Sequence, residues 1–93
     1  MQYRFEKGRN RLVAVITDLE GTDLDEVDLI VKNMKTFEKL SIEKGLINDP
    51  TGSSGDPYAV IPKDLEGLLG RYDVDDLRLY AKRKEKVVLE GFE

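Results

Sequence analysis

A chain of 93 residues suffices for one small domain with one core, and residues 1–93 are read as that single domain. It contains no histidine, cysteine or tryptophan, which excludes imidazole bases, thiol nucleophiles, disulfides and the usual zinc sites. Charged residues make up 37% of the chain in both signs, and the net charge is −4. This composition describes an ordered, soluble domain and disfavours nucleic acid as a partner, unless one face is locally basic.

Tyr3 and Phe5 alternate with Gln2, Arg4 and Glu6, the period of a half-buried strand. Turn residues Gly8-Arg9-Asn10 follow, then the apolar run Leu12 to Ile16, so the spacing predicts an N-terminal β-hairpin. That run is the longest apolar one and falls far short of the roughly 20 residues of a membrane-spanning helix. With no apolar signal core after Met1, the expectation is no membrane association and a cytoplasmic location.

Gly21-Thr22-Asp23 breaks the second strand. Asp23 with Glu26 matches a capping box. Leu24, Val27, Val31, Met34, Phe37 and Leu40 then recur at three- and four-residue steps, which predicts a long amphipathic helix over about 23–44. Acids lead and lysines trail, as the helix dipole prefers. A flexible loop is expected over 48–57, where prolines bracket Gly52-Ser53-Ser54-Gly55. That loop lacks the Lys-Ser or Lys-Thr pair of a phosphate-binding loop, so Ser53 and Ser54 are candidate partner contacts rather than phosphate ligands.

Pro62 suits a first helical position. Two short helices, 62–70 and 73–83, are predicted around Gly70-Arg71-Tyr72, in the outline of a helix-turn-helix. The second carries Arg78, Lys82 and Arg83 as a basic face. Val87-Val88-Leu89 is read as a last strand. The predicted fold class is therefore α+β: a hairpin, one long helix, two short helices and a C-terminal strand, in a small antiparallel or mixed sheet covered by helices.

The acids at Asp23, Asp25, Asp73 and Asp76 stand at predicted helix starts, where capping explains them. No calcium-loop spacing is present, so no metal site and no cofactor are expected. No motif gathers catalytic groups. The leading expectation is a non-enzymatic interaction or accessory protein that binds another macromolecule, a protein or a second copy of itself as a homodimer. The alternative is a DNA-binding regulator using the helical pair at 62–83.

Overall fold

The alternation in the first 18 residues is realised as a hairpin. In the computed structural model, which describes residues 1–50 and 55–84, β1 (Gln2–Lys7) pairs antiparallel with β2 (Arg11–Asp18). The Gly8 amide donates to the Arg11 carbonyl at 2.9 Å to close the turn. Leu12, Ala14 and Ile16 point inward from β2 and are essentially fully buried. Arg11, Val13 and Val15 point to the other side, as strand geometry requires.

The region expected to form the long helix is instead β3 (Val27–Asn33) and β4 (Lys39–Ile42), an antiparallel pair. The apolar residues satisfy both periods, but Leu29 decides between them. It falls off the helical stripe, whereas in a strand it lines up inward with Val31 and is 1% exposed. Val27, Ile30 and Val31 are β-branched, which favours the extended form. Asp23 does cap, but only a turn: its Oδ1 accepts from the Asp25 amide at 2.9 Å and its carbonyl from the Glu26 amide at 3.0 Å. Met34 and Phe37 sit in the β3–β4 turn and are exposed.

Beyond β4, a short β5 (Ile47–Asn48) and β6 (Tyr58–Pro62) add to the first hairpin. The first of the two predicted helices survives as α1 (Lys63–Glu66), extended by a 3-10 turn to Leu69. The second is absent. Asp73 and Asp76 cap a single 3-10 turn over Val74–Asp76, and the chain then enters β7 (Leu77–Arg83). Leu79 repeats the lesson of Leu29: it lies off the face that Val74, Leu77, Tyr80 and Ala81 would share in a helix, yet is only 4% exposed. With one short helix and no second, the helix-turn-helix outline is gone. The α+β description is corrected to a mostly β protein of two antiparallel sheets. The predicted strand at 87–89 lies outside the described residues.

The first sheet has the order β1-β2-β6-β5 and the second β4-β3-β7. Their inner faces meet in one core: Leu12, Ala14, Ile16, Ala59 and Ile61 from the first, and Leu29, Val31, Leu40, Ile42, Leu77 and Leu79 from the second. Leu24 and Leu69 join it from the connections. Each fully buried leucine or isoleucine contributes about 1.5–3 kcal/mol.

Asn33, at the end of β3, is the buried polar residue of this core. Its Nδ2 donates to the carbonyls of Leu69 at 2.9 Å and Arg71 at 3.2 Å, and its Oδ1 accepts from the Lys35 amide at 3.0 Å. It thereby ties the second sheet to the turn that follows α1. Among the described residues, no helix is long and apolar enough to cross a membrane.

Candidate anion-binding cleft

The β2–β6 pairing sets Arg11 opposite Pro62, which brings the β1–β2 turn beside the start of α1. Between them opens a cleft of about 440 Å³, walled by Lys7, Arg9, Lys63, Glu66, Arg71 and Tyr72, with Gly67 and Gly70. Gly70 is required there. It sits at φ 69° and ψ −154°, a backbone conformation that strains any residue with a Cβ. The sharp turn at Gly70 delivers Arg71 and Tyr72 to the rim, and Asn33 holds the carbonyls on either side.

Four cations therefore surround one carboxylate, and that carboxylate is already engaged. Glu66, whose side chain is 14% exposed, lies 3.5 Å from Lys7 Nζ and accepts a hydrogen bond from the Tyr72 hydroxyl. Lys7 Nζ also stands 4.8 Å from the centre of the Tyr72 ring. Among the described residues, no carboxylate is within ion-pair distance of Arg9, Lys63 or Arg71. Partial burial, then the hydrogen bond to Glu66 and its negative charge, push the Tyr72 phenol well above its ordinary range. Tyr72 is thus a neutral donor locked onto Glu66. The cleft can attract and orient an anion, and the hydroxyl in it stays protonated at neutral pH.

The residues singled out in the sequence do not converge here. Arg78 and Lys82 share the outward face of β7, since a four-residue step keeps one face in a strand as in a helix. Arg78 Nη1 donates to the carbonyls of Asp75 and Leu77, each at 2.8 Å. Lys82 stands opposite Asp28. Arg83 lines a separate groove with Asp25, Glu26 and Lys84. There Lys84 Nζ donates to the Asp25 carbonyl at 3.3 Å, and Lys44 pairs with the Asp25 carboxylate at 2.9 Å. Ser53 and Ser54 lie outside the described residues.

Of Arg4, Lys7, Arg9 and Arg11 near the N-terminus, Lys7 and Arg9 line the cleft. Lys63, Glu66, Arg71 and Tyr72 carried no motif, and only the turn Gly70-Arg71-Tyr72 hinted at a special place. The acids weighed as metal ligands serve turns: Asp23 caps 24–26, Asp25 pairs with Lys44, and Asp76 Oδ2 accepts from the Asp73 amide at 3.3 Å. No group of three such ligands is assembled among the described residues.

Compared with known protein families, curated proteins and solved structures, the chain matches none of them.

Proposed function

We propose that this chain is a non-enzymatic interaction module that holds an acidic segment of a partner protein in the cleft between the β1–β2 turn and α1. One observation carries the reading: Arg9, Lys63 and Arg71 border the cleft without a carboxylate partner among the described residues, while Glu66 is committed to Lys7 and Tyr72. Arginine forks and lysine ammonium groups in a concave, partly apolar site suit carboxylates and fix their orientation. Nothing in the cleft is poised for bond making, which favours binding over catalysis.

An acidic peptide is preferred to nucleic acid on charge. The whole chain is at −4, which repels a phosphate backbone on average. The former DNA-binding candidate is a strand in which Asp28 faces Lys82.

The test is fluorescence anisotropy with a labelled glutamate-rich peptide and, separately, with mixed-sequence duplex DNA. The peptide is expected to bind, more weakly as salt rises, and Arg71→Glu is expected to weaken it roughly tenfold or more, about 1.4 kcal/mol. Peptide binding indifferent to Arg71→Glu and Lys63→Glu, or DNA binding tighter than peptide binding, would overturn the reading.

A further inference from the structure

The outer face of the first sheet has a pattern that the cleft does not use. Strand register arranges it in cross-strand rows. Arg4, Val15 and Tyr58 form one row and Glu6, Val13 and Val60 the next. Two residues along a strand separate neighbouring rows by about 6.7 Å. Arg11, opposite Pro62, lies one row beyond Val13. Asp56 lies one row beyond Tyr58, with the Pro57 carbonyl still accepting from the Ile16 amide at 2.9 Å. Together these residues border a shallow depression of about 410 Å³. Tyr58 is 38% exposed, Val13 and Val60 are half-buried, and Val15 beneath them is 9% exposed, so the apolar surface on the solvent side of the sheet is carried mainly by Tyr58, Val13 and Val60.

We propose that this face is a self-complementary interface on which a second copy of the chain docks. Consider a two-fold axis in the plane of the face, running across the strands between the two central rows. It lays each row on the other. Arg4 meets Glu6 of the second copy and Glu6 meets its Arg4; Val15 meets Val13, and Tyr58 meets Val60. Arg11 falls at the level of Asp56, one strand aside and within reach of a long side chain. Every cation faces an acid, and the apolar strip faces itself.

The two bases and two acids also cancel within the face, so it is neutral on a protein of net charge −4. Two copies that repel elsewhere do not repel here, whereas a charged partner of either sign finds no net attraction. Isologous pairing by a two-fold is the commonest closed association. Sheets that pack face to face sit about 10 Å apart at about −30°, an offset that arginine side chains span. In one copy Arg4 Nε already binds Glu6 Oε1 at 2.9 Å, and docking would join two such pairs into a four-membered ring of charge.

The experiment is sedimentation equilibrium on the full chain and on two charge reversals, with circular dichroism confirming that each folds. The unaltered chain is expected to show a concentration-dependent dimer. R4E leaves only acids at the two positions and E6R only bases, so each alone is expected to dissociate roughly a hundredfold more readily. An equimolar mixture of R4E and E6R restores opposite charges across the axis and is expected to recover the dimer. A chain that stays monomeric at every concentration, variants that dimerise as well as the parent, or a mixture that fails to recover would each overturn the proposal. If either reversal does not fold, the double swap Arg4→Glu with Glu6→Arg, which keeps both charges on the strand, is expected to dimerise like the parent, and V13R to be monomeric. The opposite result in either would overturn it.

Discussion

The two sheets share one core but turn unlike faces to the outside. On the first, valines and a tyrosine are framed by charges that cancel. On the second, Lys39, Lys32 and Arg78 stand side by side in register across β4, β3 and β7. Ile30, Ser41 and Tyr80 form the next row, and Asp28 faces Lys82 beyond it. Three like charges abreast would repel, and each finds its own escape. Lys32 Nζ turns over the Phe37 ring at 5.1 Å, Arg78 turns to backbone carbonyls, and Lys39 is exposed to water. Such a face stays solvated because covering it would strand cations. The first face carries no such penalty, which is why a second copy is assigned to it and not to the other.

The contrast breaks most severely at the joint between the sheets. Asn33→Ala would orphan the Leu69 and Arg71 carbonyls in a buried site, and a loss of about 3 kcal/mol is expected in urea unfolding. The same change should loosen the cleft, so peptide affinity should fall even under conditions where the variant is folded.

Tyr72→Phe removes the hydrogen bond to Glu66 and should cost about 1 kcal/mol. It also changes the alkaline limb. Because the folded phenol titrates above its unfolded value near 10, its contribution is complete below about pH 10 and is lost as pH rises past it. Melting temperature between pH 8 and 11 should therefore fall less steeply in Tyr72→Phe than in the parent chain.

A change in the opposite direction sharpens the comparison of faces. Lys32→Glu places an acid between Lys39 and Arg78, and a gain of about 0.5 kcal/mol is expected at low ionic strength, even after losing the contact with Phe37. The gain should shrink in 1 M salt. A loss of stability at low salt would show that the cationic row is not under repulsion. The smallest effect is expected at Phe37, whose φ of 66° is unusual for an aromatic residue. Asparagine tolerates that conformation, and Phe37→Asn should stabilise by roughly a few tenths of a kcal/mol in thermal unfolding.

The sequence made the first hairpin legible because turn residues and alternation agree there. It misled over 23–44 and 73–83, where leucines and valines happen to satisfy a helical period as well. In both stretches one leucine was left over, Leu29 and Leu79, and each proves to be core. A large apolar residue stranded on the polar side of a predicted helix was the available sign that the period was two.

The cleft was half visible. The basic character of Lys7 and Arg9 stands out in the sequence, but Lys63 and Arg71 join them only through pairing of β2 with β6, some fifty residues apart in the chain. No local pattern announces such a meeting. The shared outward face of Arg78 and Lys82 followed from spacing alone, since helix and strand both keep residues four apart together.

The strand order also governs how the chain can assemble. The first sheet draws on residues 2–18 and 47–62, and the second on 27–42 and 77–83, so the two are interleaved along the sequence. β3 can pair with β4 at once, yet its other edge waits for β7, whose Arg83 lies opposite Val27. Closing so distant a pair is slow, typically on the order of milliseconds to seconds for such topologies. During that interval β3 presents an unpaired edge beside Leu29 and Val31, the setting in which strands add to the wrong chain. Asp28 and Lys32, on the outward face of the same strand, flank that stretch with charge, the kind of residue that disfavours wrong pairing at an open edge.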